Sequence, residues 1–478
     1  MTRRELVGST ATELTRLVHA GAVAASDVLR QHLAHVEATD STYGAFECLR
    51  VDDAMRDAGR LDALSPAARL ALPLAGVPVA VKDNVAVAGL VTRNGSAAVT
   101  RPPAADDHPV VARLRAAGAV IVGKTRVPEL ALWGTSDNAF GTARSPWDPG
   151  RTAGGSSGGS GAAVAAAMVP VAHGNDGFGS IRIPAACCGL VGIKPGPGVV
   201  PAQIGVDGWY GIAENGALAT TVADAALTLS VLAGDPSMAV VTPPARPLRI
   251  ALAVAPPVAG LPVDGELIAH TRNVGEALAA EGHHVEEVRP PIPDPLLSLA
   301  IIGTWTSGAR IEIGGLIEGD PDAWKRLERR TRMHGRVGSV ARRLGLAEER
   351  HRQRWRRAMD AFLERHDVLL TPTLAQLPLH ADAWRSRSWI ANLVANTRYA
   401  PYCGPINFAR LPAIAVPAGV HSRGAATSVH FVGRHGSERL LLGLAAVVER
   451  VRPWTRFSPR ISHALAVMHD TRGAAGPD

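Results

Sequence analysis

Hydrophobic positions recur at helical spacing near the start of the chain. In GSTATELTRLVHAGAVAASDVLRQHLAHVEATD, residues 8–40, leucines and valines lie three or four positions apart, which predicts two helices with one apolar face each. We expect Ser9 or Thr10 to cap the first helix and Ser26 the second, because a short polar side chain there accepts a hydrogen bond from a free backbone N–H. The chain thus begins with a helical segment.

Short apolar runs and helices alternate through the rest of the chain. The stretch LAGVPVAVKDN, residues 74–84, is typical of a buried strand that ends at Lys82. The stretch HPVVARLRAAGAVIVGKT, residues 108–125, predicts a helix, a stop at Gly118 and a strand. This alternation favours the α/β class. Further predicted elements are a strand at 248–254, a helix and a strand within 264–288, helices through 300–365, strands at 367–373 and 412–420, and a closing helix at 437–451.

The composition indicates a globular protein with a large core, since 46% of the 478 residues are hydrophobic and 19% are charged. The net charge is +7, and arginine carries almost all of the positive charges. A buried lysine can lose its proton near neutral pH, whereas arginine cannot. A lysine-dependent catalyst therefore has few candidates, which are Lys82, Lys124, Lys194 and Lys325.

Two stretches raise the question of partners. The helices within 324–357 are dense in arginine, but glutamate and aspartate interleave with it and no aromatic stacking pattern accompanies it. We therefore expect a solvated helical cap and no nucleic-acid partner. With Trp305, Trp324 or Trp389 contributing, such a cap would line a substrate pocket. The small apolar stretch at 162–172 is too short to cross a membrane, so we expect no membrane partner.

The cysteines favour a reducing compartment. Cys187 and Cys188 are adjacent and no CxxC pair occurs, which argues against a disulfide framework and against a zinc site. The N-terminus has basic residues without the apolar run of a signal peptide. We expect a cytoplasmic protein that needs neither a metal nor a cofactor.

The strongest local feature is GGSSGGSG, residues 154–161, which precedes a small apolar run predicted to be helical. Glycines allow close backbone approach, and a helix N-terminus offers free N–H groups. A flexible linker has a similar composition, but apolar segments flank the stretch closely. A P-loop lacks its Lys-Ser or Lys-Thr here. Residues 155–159 match G-x-S-x-G, yet DPGRTAG before them is not the strand that a nucleophile elbow requires.

The second feature is GNDGFGSIRIP, residues 174–184. The successive backbone amides of Gly177, Phe178, Gly179 and Ser180 would form an oxyanion hole if two or three of them converge on one point. Ser180, at the end of the row, would be the nucleophile. A plain turn between two strands is the alternative, but it leaves the number of glycines unexplained.

A serine nucleophile needs a base. The chain has 17 histidines, and the nearest, His173, reads as a packed residue. Lys82 is the better candidate, because burial at the end of an apolar strand lowers the pKa of a lysine. The alternative is that Lys82 forms an ion pair with Asp83 or another carboxylate.

Together these motifs resemble the amidase signature family. The resemblance covers nearly the whole chain and is weakest at 290–365. It implies an α/β fold in which a large mixed central β-sheet is covered by helices on both faces, with a helical cap. The stretches that carry it are LAGVPVAVKDN, VARLRAAGAVIVGKTRVPELA, SPWDPGRTAGGSSGGSGAAVAAAMVPVAHGNDGFGSIRIPAACCGLVGIKP, TTVADAALTLSVLAG, DVLLTPT and PINFARLPAIAVPAGV.

The implied organisation is a single domain in three stretches. Residues 1–70 form an N-terminal helical segment packed on the core, and residues 71–245 form the core with the catalytic residues. Residues 246–478 form a C-terminal α/β part that includes a variable helical cap at about 300–365. The resemblance also suggests a homodimer.

The resemblance further implies a serine–serine–lysine triad that cleaves amides. The matching positions are Ser180 as the nucleophile, Ser156 as a bridging serine that follows a cis peptide bond, and Lys82 as the base. Ser156 precedes Ser180 by 24 residues, the spacing that the family's motif requires. Ser157 is one residue out of this register, and we expect it to support the loop by hydrogen bonding.

The loop around Ser180 departs from the family's pattern. The family usually has Thr-Asp-Thr-Gly-Gly-Ser where this chain has NDGFGS, residues 175–180. Phe178 still supplies an N–H, and it would be strained only if its φ were positive. We expect its ring to form a wall beside the scissile carbonyl. Asp176 and Arg182 are expected to brace the loop as a charge-assisted pair.

We therefore expect an amidohydrolase that converts a small or medium carboxamide to a carboxylate and ammonia or an amine through a seryl acyl-enzyme. Two alternatives stay open. One is a glutamine-amidotransferase-type subunit that releases ammonia for a partner. The other is an amidase-like scaffold that hydrolyses esters or carbamates, or that is inactive because Phe178 closes the oxyanion hole. Aliphatic amides, aryl amides, peptide amides, lactam oligomers and carbamates are all candidate substrates.

Overall fold

The computed structural model describes residues 5–205, 207–258 and 260–473. Its strands are β1 Phe46–Leu49, β2 Pro78–Lys82, β3 Val120–Thr125, β4 Asp137–Asn138, β5 Gly141–Thr142, β6 Val171–Asp176, β7 Val191–Lys194, β8 Glu214–Ala219, β9 Arg249–Leu252, β10 His284–Glu287, β11 Val368–Pro372, β12 Ala413–Val420 and β13 Ala426–Gly433. Its helices are α1 Ala11–His19, α2 Ala25–Tyr43, α3 Val51–Asp62, α4 Pro66–Leu70, α5 Pro109–Ala116, α6 Gly158–Ala165, α7 Arg182–Cys188, α8 Asp207–Gly211, α9 Val222–Ala233, α10 Gly265–Ala280, α11 Pro295–Gly319, α12 Ala323–Arg326, α13 Arg329–Arg343, α14 Glu349–Arg365, α15 Trp389–Tyr399, α16 Cys403–Phe408, α17 Glu438–Val451 and α18 Pro459–Gly473.

One large sheet runs through the molecule. Within the described ranges it has eleven strands, in the order β1-β3-β2-β6-β8-β7-β12-β13-β11-β9-β10. Strands β3, β2 and β6 are mutually parallel, as are β11, β9 and β10. The strands between these two groups pair antiparallel. The predicted α/β fold with a large mixed sheet is therefore confirmed.

Apolar layers cover both faces of this sheet. Successive side chains of a strand point to opposite faces, and β2 shows this directly. Val79 and Val81 pack in a cluster with residues of α1, α5 and α9, whereas Ala80 packs in a second cluster with residues of α2, α6 and α7. Both faces are shielded from water, which explains why the strands appear in the sequence as continuous apolar runs.

The two predicted N-terminal helices are present as α1 and α2. Thr10 caps α1, since its side chain accepts a hydrogen bond from the N–H of Glu13. The predicted cap by Ser26 is wrong. Asp62, at the end of α3, instead accepts from the N–H groups of Ala25 and Ser26 at 2.7 and 3.1 Å. A carboxylate distant in sequence thus replaces the local cap.

Most of the predicted helices and strands are present, and the structure differs from the prediction in three places. The helix after the Gly/Ser stretch, α6, ends at Ala165, and β6 follows it. Helix α17 does not close the chain, because α18 comes after it. The segment 1–70 is not only helical, since β1 forms an edge of the large sheet. The division into three stretches otherwise stays a prediction.

The predicted cap is mainly helical. Helices α11 to α14 occupy most of residues 295–365, and the inner side of α11 packs Trp305, Ala309 and Ile313 into an apolar cluster. No helix of the described ranges is at once long and apolar enough to cross a membrane.

The carboxyl ends of β2 and β6 position the site. These parallel strands pair Ala80 with Ala172, so that Lys82 at the end of β2 lies next to the last residues of β6. Helix α6 packs closely on the sheet because its residues are small. A Cβ atom on Gly159 would lie 2.3 Å from the backbone nitrogen of Arg126, which follows β3, and 2.4 Å from the carbonyl oxygen of Ala45, which precedes β1.

Candidate active site

Lys82 is fully buried and donates three hydrogen bonds. Its Nζ lies 2.8 Å from Ser156 Oγ, 2.6 Å from Asn175 Oδ1 and 3.1 Å from the Asn175 carbonyl oxygen. Burial lowers the pKa of Lys82 to about 7, although the charge of Asp176 acts in the opposite direction. The alternative pairing with Asp83 is wrong, because Asp83 forms its ion pair with Lys124 at 2.7 Å.

The serine pair before α6 connects Lys82 to the Ser180 loop. The peptide bond between Gly155 and Ser156 is cis, as the resemblance implies. The Ser157 N–H donates to the Ser180 carbonyl oxygen at 3.1 Å, and the Ser157 hydroxyl donates to the Asn175 carbonyl oxygen at 3.2 Å. Ser157 therefore makes hydrogen bonds to two neighbouring segments. It ties three neighbouring segments of the site together.

Asp176 and Arg182 form a buried ion pair behind the Ser180 loop. Both side chains are fully buried, and Arg182 Nε lies 2.9 Å from Asp176 Oδ2. Burial alone would raise the pKa of the Asp176 carboxyl, but the charge and hydrogen bonds of Arg182 outweigh it and hold this pKa below its ordinary value. Asp176 also accepts from the N–H groups of Gly179 at 2.7 Å and Ile181 at 3.2 Å. The carboxylate thus stays ionised and organises the loop.

One of the four amides considered for an oxyanion hole is already used. The N–H of Gly179 is donated to Asp176, and Gly179 has a φ of +113°, a conformation that few other residues adopt. We therefore leave Gly179 out of the candidate oxyanion donors. Its role is to turn the chain so that Ser180 enters the cavity.

Phe178 fits the loop without backbone strain, because its φ is not positive. Its ring stacks on Trp305, with the ring centres 5.3 Å apart and the planes 19° from parallel. The ring also lies against Gly404, where an added Cβ atom would come within 2.6 Å of it. Phe178 therefore joins the Ser180 loop to the helical cap.

Two cavities meet at Ser180. The larger, of about 540 Å³, is lined by Ser156, Ser180 and Gly177. The smaller, of about 120 Å³, is lined by Ser180 and mainly by apolar side chains. The Phe178 and Trp305 rings line both cavities. Ser180 is thus accessible from two sides of one aromatic wall.

Of the three tryptophans considered for a pocket, the structure places Trp305 there. Trp389 donates to His334 Nδ1 at 3.0 Å, and the Trp324 ring lies 5.6 Å below the Arg336 guanidinium. Trp209 lines the larger cavity and Trp133 the smaller one. The sequence analysis missed both of them.

Asn84 and Asn175 belong to the site as well, although no sequence motif pointed to them. Asn175 accepts hydrogen bonds from Lys82, and its Nδ2 donates to Asn84 Oδ1 at 2.7 Å. Their positions, two residues after Lys82 and one before Asp176, were the only available signal. His173 is a packed residue as expected. Its Nε2 lies 2.9 Å from Asn215 Oδ1, and burial lowers its pKa to about 3.

Among the residues described, no group of three or more His, Cys, Asp or Glu side chains is arranged to hold a metal ion. The described polar groups are instead a lysine, two serines and a row of backbone amides, converging at the carboxyl ends of two parallel strands. This set can transfer protons and present a serine hydroxyl to a bound molecule. Fold and site together therefore define a protein with a mixed α/β sheet whose site can support nucleophilic and acid–base chemistry by serine and lysine.

Comparison with known proteins gives the family. The profile of the amidase family matches residues 27–442. The protein AmiA2 of Mycobacterium tuberculosis is 37% identical over 471 residues, which cover 95% of each chain. An acylamidase of Rhodococcus erythropolis is 33% identical over 493 residues, covering 98% of this chain and 100% of the relative. The chain therefore belongs to the amidase family.

The solved structures agree with this assignment. The crystal structure of a bacterial aryl acylamidase of the amidase signature enzymes superposes with a TM-score of 0.83 at 25% identity, covering 99% of this chain and 100% of the other. The protein is an amidase, a hydrolase that acts on carbon–nitrogen bonds other than peptide bonds.

Proposed function

We propose that this amidase cleaves carboxamides to a carboxylate and ammonia or an amine through a seryl acyl-enzyme. Ser180 is the nucleophile, Ser156 relays the proton and Lys82 is the base. The observation that carries the proposal is the 2.8 Å hydrogen bond between a buried lysine of lowered pKa and Ser156 Oγ. A lysine with a pKa of about 7 has a substantial neutral fraction at neutral pH, so it is able to accept a proton.

The first half-reaction forms the acyl-enzyme. Ser180 Oγ attacks the carbonyl carbon of the amide and gives its proton to Ser156 Oγ, while Ser156 gives its own proton to neutral Lys82. The carbonyl oxygen becomes an anion in the tetrahedral intermediate. Lys82 then returns its proton through Ser156 to the leaving nitrogen, the carbon–nitrogen bond breaks, and the amine departs.

The anion is stabilised by backbone N–H groups of the loop. Gly177, Phe178 and Ser180 supply the candidate donors, since Gly179 donates to Asp176. Preorganised donors of this kind lower the barrier because they need no reorientation when the charge forms. The buried Asp176–Arg182 pair supports the proposal by fixing the loop that carries these donors.

The second half-reaction is hydrolysis of the acyl-enzyme. A water molecule replaces the amine beside Ser156 and gives its proton to Lys82 along the same relay. Its oxygen attacks the acyl carbon, and the new oxyanion accepts hydrogen bonds from the same backbone N–H groups. Collapse of this intermediate returns the proton to Ser180 Oγ and releases the carboxylate.

A panel of substrates tests the proposal. We expect the wild-type protein to hydrolyse simple alkyl and aryl amides, and Ser180→Ala to show no hydrolysis above background. Full activity of Ser180→Ala would overturn the proposal. Hydrolysis of glutamine alone would favour the amidotransferase-type alternative. Hydrolysis of esters or carbamates, without hydrolysis of amides, would favour an amidase-like scaffold with esterase or carbamate hydrolase activity. The homodimer and the cytoplasmic location stay predictions.

A further inference from the structure

The two cavities at Ser180 differ in what they offer to a substrate. Ser156, the proposed proton relay, and Gly177, a proposed oxyanion donor, both line the larger cavity, together with Asn84 and Asn175. The smaller cavity has a lining of aliphatic, aromatic and proline side chains from α11, α15, α16 and the segment around residue 257. The polar machinery therefore faces one cavity, and an apolar lining faces the other.

The tetrahedral intermediate has four substituents, and the proposed function places three of them. Ser180 Oγ lies where the cavities meet. The leaving nitrogen must lie next to Ser156 to be protonated, and the oxyanion must lie next to Gly177 to be stabilised. Both positions are on the side of the larger cavity. The fourth substituent, the acyl carbon chain, is thereby directed toward the smaller cavity.

Asn396 and Ser298, two of the polar residues that line the smaller cavity, have partners within the protein. Asn396 Oδ1 accepts from the Gly134 N–H at 2.9 Å, and Asn396 Nδ2 donates to the Asn392 carbonyl oxygen at 2.8 Å. The Ser298 hydroxyl donates to the Pro293 carbonyl oxygen at 3.4 Å. An apolar acyl chain entering this cavity therefore gains contact with apolar side chains and leaves these polar groups satisfied.

The volume limits the length of that chain. The smaller cavity measures about 120 Å³, whereas an engineered apolar protein cavity of about 150 Å³ binds benzene. The stacked Phe178 and Trp305 rings form part of its lining. A group of about six carbon atoms fills such a space, and a longer chain meets the wall.

We propose that the smaller cavity is the acyl site and the larger cavity the amine site. This assignment rests on the proposed function. The substrates are N-substituted amides of short apolar acids, from acetyl to about hexanoyl or benzoyl, that carry a larger and more polar amine. The Phe178–Trp305 wall separates the two parts of the substrate.

The test uses two residues of the same helix. Ile302 and Leu316 both lie on α11, and they line the smaller and the larger cavity respectively. One substrate series varies the acyl chain of a p-nitroanilide from acetyl to decanoyl. The other varies the amine of a butanoyl amide from methylamine to naphthylamine. The readout is kcat/KM for every substrate, followed by mass spectrometry where no chromophore is released.

We expect the wild-type protein to disfavour decanoyl against butanoyl, since one methylene in an apolar pocket changes kcat/KM by about 10-fold or more. Ile302→Ala raises the decanoyl-to-butanoyl ratio about tenfold and leaves the amine preference unchanged. Leu316→Ala leaves the decanoyl-to-butanoyl ratio unchanged and shifts the preference among amines. Leu393→Ala, which opens the smaller cavity from α15, gives the same shift as Ile302→Ala and guards against a folding defect in that variant.

Two outcomes overturn the assignment, and they have different meanings. If the acyl ratio moves in Leu316→Ala and not in Ile302→Ala or Leu393→Ala, the cavities have the reverse roles and the proposed function stands. If no amide of either series is hydrolysed by the wild-type protein, the proposed function fails and the assignment fails with it.

Discussion

Lys82 and Ser156 are both buried and are joined by a 2.8 Å hydrogen bond. Burial lowers the pKa of Lys82 to about 7. A protonated Lys82 has no capacity to accept a proton, whereas a neutral one has. We therefore predict that kcat/KM rises as pH increases, with an apparent pKa of about 7, and reaches a plateau above it.

Lys82→Arg is the matched variant for this prediction. It keeps a positive charge in the same place but does not deprotonate, so we expect activity to fall by about 10²–10⁴-fold, the usual contribution of a general base. Steady-state rates from pH 5 to 10 check both statements. A profile without an acidic limb near pH 7, or an active Lys82→Arg, would remove Lys82 from the role of base.

The adjacent serines Ser156 and Ser157 give an internal comparison. Ser156 accepts from Lys82, whereas the Ser157 hydroxyl donates to a backbone carbonyl oxygen. We predict that Ser156→Ala loses activity by about 10²–10⁴-fold and loses stability by no more than one hydrogen bond explains. Ser157→Ala should lose about 0.5–1.5 kcal/mol of stability with one hydrogen bond and retain most of its activity. Equal losses of kcat in the two variants would contradict the relay.

Asp176→Asn tests the buried pair behind the loop. Removing one partner of such a pair lowers the free energy of unfolding by about 3–5 kcal/mol. We therefore predict a clear fall in the melting temperature of Asp176→Asn. Asp322→Asn, which breaks an exposed pair with Lys325, should change it little.

The same substitution should also move the pH profile. The charge of Asp176 raises the pKa of Lys82, so its loss lowers this pKa further. We predict that the acidic limb of kcat/KM in Asp176→Asn shifts to lower pH, measured below its melting temperature. A shift to higher pH would contradict the proximity of the two charges.

Phe178→Gly tests the role of the aromatic wall. Its ring lines both cavities and stacks on Trp305. We predict that removing the ring broadens the range of substrates, because the two cavities lose the wall between them. Stability also falls, since the variant loses the stacked pair, about 0.5–1.5 kcal/mol, together with the buried area of the ring. Phe178→Leu, which keeps most of the bulk, should retain the wild-type range. An unchanged substrate profile in Phe178→Gly would mean that the ring has no part in selectivity.

The sequence predicted the elements whose pattern is local. Strand β2 and the helix and strand around Gly118 followed from apolar runs and a glycine that adopts a φ of +84°. Strand β13 was missed because its sequence, ATSVHFVG, has polar residues at buried positions. Thr427, Ser428 and His430 are buried there, and they find partners on other elements, as in His430 Nδ1, which lies 3.3 Å from Thr371 Oγ1 on β11.

Sequence motifs were sufficient to name residues of the candidate site, but they did not predict which of these residues contact each other. Lys82, Ser156 and Ser180 were named from motifs, and the structure brings Lys82 and Ser156 into direct contact. Asn175 was missed because its partner Lys82 is 93 residues away. The use of the Gly179 amide by Asp176 depends on how the loop folds back, which no spacing in the sequence encodes.

The most direct test of the account is the position of covalent labelling. A fluorophosphonate reacts with an activated serine, and peptide mass mapping locates the adduct. We predict one adduct, on Ser180, in the peptide that contains GNDGFGSIRIP, with labelling that slows strongly in Lys82→Arg. Labelling at Ser156 or Ser157, or no labelling of a protein that hydrolyses amides, would contradict Ser180 as the nucleophile.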